Sequence, residues 1–157
     1  MDSKEYQSKV ISVLIQQEEI MSQLYKVYAE NFHDYKDFFQ CMAKDEINHA
    51  NQIRMLDSKL KQGSAYFNKD RFNIEAIKSS IKFLNKTLSE AKEKILSLAN
   101  AVSIAKDFET SIIEKKYFQV FEGDTLELKQ TLLKLEEQQK IHILKIEELL
   151  FKITSQE

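Results

Sequence analysis

Proline is absent from the 157 residues, and glycine occurs only twice, at Gly63 and Gly123. Sandwiches, barrels and doubly wound sheets need many tight turns, and tight turns draw heavily on those two residues. All-β and α/β folds are therefore nearly excluded. The single cysteine, Cys41, excludes an intramolecular disulfide and any zinc site made of cysteines alone, and it fits a reducing compartment. No apolar run approaches the roughly 18 residues of a membrane span, and the opening stretch MDSKEYQSK has no signal-peptide core. The expectation is a soluble, cytoplasmic chain with no membrane partner. Neither sign of charge dominates, since 23 Lys and Arg face 25 Asp and Glu for a net charge of −2. That balance argues against a dedicated nucleic-acid binder, which would carry a basic excess. Apolar residues are plentiful at 43%, enough for a real core in a chain of one-domain size. Residues 1–157 thus read as one all-α domain.

Four long segments carry apolar residues in alternating steps of three and four, the spacing of one helical face. The first runs from about Lys4 to Asn31 and carries Ile11, Leu14, Met21, Tyr25 and Tyr28. After a short joint with Asp34 as N-cap and Asp37 in the first turn, the second runs from about Tyr35 to Gln62 with Phe39, Met42, Ile53 and Leu56, and Gly63 ends it. A stretch of some 20 residues follows, with a short helix expected over Ile74 to Leu84. The pattern Thr87-Leu88-Ser89-Glu90 resembles a capping box. From it a third long helix is expected to continue to Phe121, with Ala91, Ile95, Leu98, Val102, Ala105 and Ile112 in step. The turn Glu122-Gly123-Asp124-Thr125, with Asp124 and Glu127 as a capping pair, leads into a fourth helix that runs to about Thr154. Two short turns make two antiparallel hairpins, and the linker between them is long enough to cross a bundle. A four-helix bundle with one long crossover containing a short helix is the economical fold.

The apolar stripes are interrupted once each, near the middle. The first reads Ile11, Leu14, Glu18, Met21, with Glu19 turned outward alongside Ser22, Gln23 and Lys26. The second reads Met42, Glu46, His49, Ile53; the third Ala105, Glu109, Ile112; the fourth Leu135, Gln139, His142, Ile146. In an antiparallel hairpin, residues equidistant from the turn lie side by side. Glu18 and Glu46 are centred on residue 32, in the first turn, and Glu109 and Gln139 on residue 124, in the second. The six polar groups are thereby expected at one level of the core.

Buried carboxylates are costly unless something compensates them, and no Lys or Arg shares these stripe positions. A bound cation resolves the conflict, and carboxylates with two imidazoles suit iron, manganese or zinc. A lone Glu-x-x-His is weak evidence, and taken singly Glu46 and His49 read as coincidence or as a core histidine; four stripes broken at one level are harder to produce by accident. A buried polar network without metal is the competing reading. His33 is expected to be a solvated turn residue and Cys41 a small helix-packing residue.

Glu18 with Tyr25 seven positions on, followed by Met42-Ala43-Lys44-Asp45-Glu46-Ile47-Asn48-His49-Ala50, closely resembles the first half of the rubrerythrin branch of the ferritin-like superfamily. Ala105 and Glu109, then Glu136, Glu137, Gln139 and His142, resemble its second half more loosely, and the likeness covers about residues 5 to 152. The resemblance implies a ferritin-like bundle holding two iron ions that react with peroxide or dioxygen. It implies metal ligation by Glu18, Glu46, His49, Glu109 and His142, with Gln139 at the remaining position. Glu18, Glu46, Glu109 and Tyr25 are the candidate catalytic residues, with the Tyr25 phenol hydrogen-bonded to a ligand carboxylate.

Two departures stand out. The family's second Glu-x-x-His has become Gln139-Lys140-Ile141-His142, and a neutral amide cannot bridge two metals with negative charge. A further family glutamate falls on Ile112. Glu136 is a candidate substitute, and Glu114 a weaker one. With one cysteine there is no rubredoxin module, so electrons must come from an external donor. Three functions follow as alternatives: a di-iron oxidoreductase acting on peroxide or on dioxygen and Fe(II), a metal-binding bundle without efficient turnover, or a metal-free structural bundle. Family bundles pair as homodimers, to which Tyr66, Phe67 and Phe72 could contribute an aromatic patch.

Overall fold

The computed structural model describes residues 3–62, 66–67, 74–114, 121–122 and 126–155. Among them are the helices α1 (Ser3–Asn31), α2 (Lys36–Lys61), α3 (Ile74–Lys92), α4 (Leu98–Glu114) and α5 (Leu126–Thr154), with a 3-10 turn at His33–Tyr35 between α1 and α2. The two-residue strands β1 (Tyr66–Phe67) and β2 (Phe121–Glu122) pair antiparallel, Tyr66 opposite Glu122, and tie the segment after α2 to the one before α5.

Each long helix buries its apolar stripe. Leu14, Met21, Tyr25 and Tyr28 of α1 meet Phe39, Met42, Ile53 and Leu56 of α2, and Val102, Ala105 and Ile112 of α4 meet Leu135, Ile146 and Leu149 of α5. α1 and α2 run antiparallel, joined across their seam by an aromatic cluster in which Tyr25 stacks on Phe39 at 6.2 Å between ring centroids. The Ser22 hydroxyl donates to the Ala43 carbonyl at 2.8 Å, so Ser22 is buried in the α1–α2 seam and does not face outward as expected beside Glu19. Glu19 does lie at the surface, paired with Arg54.

α3 runs beside α1 in the same direction, and the Asn31 side-chain amide donates to the Ala91 carbonyl at 2.7 Å where both helices end. α4 returns antiparallel to α3, with Phe83 against Phe108 at 5.5 Å, and α5 is antiparallel to α4. Helices α1, α2, α4 and α5 thus surround one core, and α3 is the connection that carries the chain from one end of the bundle to the other.

The crossover is a full helix over Ile74–Lys92 and not a short one ending at Leu84, and the third core helix begins at Leu98 and not at Thr87. Thr87 is buried inside α3, so its segment is no cap. The stop comes at Lys94, whose φ of 58° is left-handed. The Lys94 amide donates to the Ala91 carbonyl at 3.0 Å and the Ile95 amide to the Glu90 carbonyl at 3.2 Å, closing the last turn as a glycine-ended helix does. Lysine in place of glycine hides that stop from a reader of the sequence. Ile95 is accordingly exposed in the turn and not in a core stripe, and Phe121 belongs to β2 and not to a helix. Asp34 lies within the 3-10 turn, whose leading residue Phe32 has no side-chain cap. Cys41 is exposed and not a packing residue; His33 is exposed as expected. Gly63, Gly123, Asp124, Thr125 and Phe72 lie outside the described residues, as do the side chains of Tyr66, Phe67, Glu114 and Glu127.

A left-handed lysine costs roughly 1 kcal/mol that glycine does not incur. Lys94→Gly should therefore raise the unfolding free energy by about 0.5–1 kcal/mol, measured by urea denaturation with an unchanged m-value. A loss of stability would show that the α3–α4 turn is held differently in solution.

Candidate metal centre

Four helices each contribute polar side chains to the middle of the core: Glu18 from α1, Glu46 and His49 from α2, Glu109 from α4, and Gln139 and His142 from α5, all buried. They meet because antiparallel hairpins level residues equidistant from their turns. Glu46 stands between the two imidazoles. Its Oε1 lies 3.1 Å from His142 Nδ1 and its Oε2 lies 3.5 Å from His49 Nδ1. Outside this pair sit the other carboxylates, Glu18 Oε2 at 3.8 Å from His49 Nδ1 and Glu109 Oε1 at 3.6 Å from His142 Nδ1. Donor atoms of Glu46, His49 and His142 all fall within 4.8 Å of one another, so these buried side chains could hold a metal ion.

Glu109 is the most firmly anchored carboxylate. Its Oε1 accepts the Tyr25 hydroxyl at 2.7 Å, and the Gln139 side-chain amide donates both to its Oε2 and, at 3.1 Å, to its backbone carbonyl. Tyr25, fully buried, thus reaches Glu109 across the bundle and not Glu18 on its own helix. Asp45 was overlooked in the sequence. One residue before Glu46, it points about 100° away around the helix, where a side chain is ordinarily assigned to solvent. Instead its Oδ2 accepts the His142 Nε2–H at 2.9 Å. The need of a buried imidazole for a partner on its second nitrogen was the available signal. Glu136 pairs with Lys140 at 3.8 Å on the surface and does not enter the cluster. Ile112 is plain core.

Four buried atoms of the cluster make no hydrogen bond: Glu18 Oε2, Glu46 Oε2, His49 Nδ1 and Gln139 Oε1. Orphaned oxygen and imidazole donors converging in an apolar core fit a borderline divalent cation, which would satisfy them together. Beside the cluster, a cavity of about 510 Å³ opens between α2 and α5, with Asp45, His49 and His142 in its wall.

Without a cation, protons balance the charge. Burial pushes Glu46 well above the usual carboxylate range, reinforced by Glu109 and Glu18. Burial lowers His49 and His142, but the facing carboxylates outweigh it: Glu18 and Glu46 lift His49 to about 10, and Glu109 and Glu46 lift His142 to about 11. For Glu109, burial acts upward, yet the His142 hydrogen bond and charge, with Glu46 and Tyr25, bring it down to about 2. Burial, then Glu109 and Glu46, push the Tyr25 phenol up.

A pH dependence follows. The raised imidazoles stabilise the metal-free fold fully below their ordinary value of about 6.5, and this is lost as pH climbs through about 10 and 11. The raised Glu46 acts in the same direction. In the presence of a chelator, the melting temperature should fall steadily from pH 6.5 to pH 10, and His142→Gln should flatten that slope. A melting temperature that rises over this range would contradict the charge pattern described.

No protein-family model, no curated protein and no solved structure matches the chain, so the chemistry of these side chains must carry the functional conclusion.

Proposed function

We propose that the protein is a rubrerythrin-like member of the ferritin-like superfamily. In this reading it holds two iron ions between its core helices and reduces peroxide, or oxidises Fe(II) with dioxygen, drawing electrons from a separate donor. The observation that carries the reading is the position of Glu46, whose two oxygens face different imidazoles. A carboxylate so placed suits a bridge between two cations, one held with Glu18 and His49, the other with Glu109 and His142. The order of elements supports it too: a hairpin, a crossover, then a second pair of core helices, each supplying its share of ligands.

A bound redox metal pair supplies electrons and polarises an O–O bond. The chain's own residues do the rest. Tyr25 and Gln139 fix the Glu109 carboxylate by hydrogen bonds. Asp45 holds the proton on His142 Nε2 and leaves Nδ1 to face the interior. The apolar layers of Met21, Met42, Ile53, Ile112 and Ile146 keep bulk water out. Manganese and zinc fit the same donors. A second reading, metal holding without efficient turnover, is favoured by Gln139, whose amide supplies hydrogen bonds where the family pattern has a bridging negative charge.

Anaerobic loading with Fe(II), metal analysis and addition of hydrogen peroxide test both. Two irons per chain, oxidised with consumption of one peroxide, is the expected result. Two irons that peroxide oxidises no faster than free Fe(II) would favour the second reading, and no bound metal at saturation would end both. Glu46→Gln should abolish binding of the pair, whereas Glu18→Gln should weaken one ion only; equal losses would remove Glu46 from its bridging place.

Gln139→Glu separates metal from no metal more sharply. Two unit charges 4 Å apart at an effective dielectric near 20 attract by about 4 kcal/mol before desolvation. A net quarter of that strengthens the second ion several-fold. With chelator, the same change removes the amide donor to Glu109 and sets carboxylate against carboxylate, so the melting temperature should drop. A variant destabilised both with Fe(II) and with chelator, and binding no more metal, would sink the two-metal proposal.

A further inference from the structure

The α2–α5 cleft has a feature that the proposed reaction does not use. His49 and His142 form part of its wall with their rings 5.2 Å apart between centroids and tilted by 37°. Since about 3.5 Å of that is contact distance between ring atoms, no organic molecule passes between them to the interior. An organic ligand is therefore stopped at the two rings. Electrons are not, because they need only reach the edge of a ring whose other nitrogen faces the carboxylates.

The lining describes what would sit there. Its volume of about 510 Å³ lies within the range of small-molecule pockets. Lys134 and Lys145 line it with no ion pair among the described residues, and the one carboxylate in the wall, Asp45, is engaged by His142 Nε2. Asn48, Asn51, Gln52 and Gln138 present side-chain amides, and the buried Gln52 Oε1 has no hydrogen-bond partner. Met55 and Ile141 add large, half-exposed apolar surface. This combination suits a flat ring with imide-type donors and acceptors, attached to an anionic group. A docked acidic protein suits it less, because Asp37, Glu137, Glu147 and Glu148 are interspersed with the lysines along the same two helices and give no field of one sign. Nicotinamides give up two electrons together as hydride, whereas metal ions accept them singly, and quinones lack the anionic group. A flavin nucleotide meets all the conditions and releases its electrons singly, as metal ions accept them.

We infer that the α2–α5 cleft binds a flavin nucleotide, which delivers electrons to the centre through the rings of His142 and His49. This rests on the metal reading proposed above. A reduced flavin loses two electrons and two protons to become the oxidised ring; two Fe(III) become two Fe(II), the protons go to solvent, and no bond forms between flavin and chain.

Binding is testable without metal or turnover. Oxidised flavin mononucleotide, titrated into the metal-free chain and followed by fluorescence quenching and calorimetry, should bind at one site. Riboflavin, lacking the phosphate, should bind about tenfold more weakly, the worth of one charge-assisted hydrogen bond. The exposed pair Lys134→Gln and Lys145→Gln should lose the same factor, and Gln138→Trp, which fills the cleft, should abolish binding. No binding, equal binding of riboflavin, or binding indifferent to these variants would overturn the assignment. In the iron-loaded protein, free reduced flavin mononucleotide should reduce the centre and slow in the same variants. Reduction by a flavodoxin but not by the free nucleotide would overturn it as well. A chain that binds the nucleotide as described but takes up no metal would keep the cleft assignment and remove the metal reading alone.

Discussion

Three carboxyl groups and two imidazoles lie buried at one level of the helical core, and the rest of the molecule is arranged around the cost of keeping them there. A buried charge without a partner is worth several kcal/mol of destabilisation. The chain meets that cost with mutual contacts. The imidazoles face carboxylates, Tyr25 and Gln139 hold Glu109, and Asp45 holds His142 from the surface side. Among the atoms these contacts leave unmatched, Glu18 Oε2 and Glu46 Oε2 both lie within 3.8 Å of the equally unmatched His49 Nδ1. A polar cluster satisfied everywhere except at its centre has the composition of a cation site, whereas a purely structural network would gain by closing that gap.

Much of this was legible in the sequence because it follows from periodicity alone. A stripe of apolar residues broken by Glu18, or by Glu46 and His49, can be read only as polar groups turned inward, and the midpoints of the hairpins set their heights. The roles of the hairpin partners were less accessible. That the Tyr25 phenol would bond a carboxylate of the cluster was legible, but which one was not, and the phenol spans the bundle to Glu109. Asp45 sits off the stripe, and only the demand of His142 for a second partner identifies it.

The α3–α4 stop was hidden for a different reason. A glycine would have announced it, but Lys94 takes the left-handed conformation instead, and the apolar period runs on through Ala91 and Ile95 as if one helix continued. The consequence is architectural. Because the crossover is a helix in its own right, with Ile77, Ile81, Leu84 and Leu88 buried, it covers the flank of α1 and α4. Among the described residues no such cover lies over α2 and α5, and that is the side on which the cleft opens.

The division of the cluster between two parts of the chain also bears on its synthesis. Glu18, Glu46 and His49 belong to a hairpin complete by residue 61, whereas His142 and Gln139 arrive only with the last helix. In order of synthesis, the donors of the first hairpin therefore all precede those of α4 and α5. Only when α5 closes against α2 does Glu46 acquire its second imidazole. A cation held by donors from both parts would require α5 to be docked against α2, so its retention would report the closed bundle.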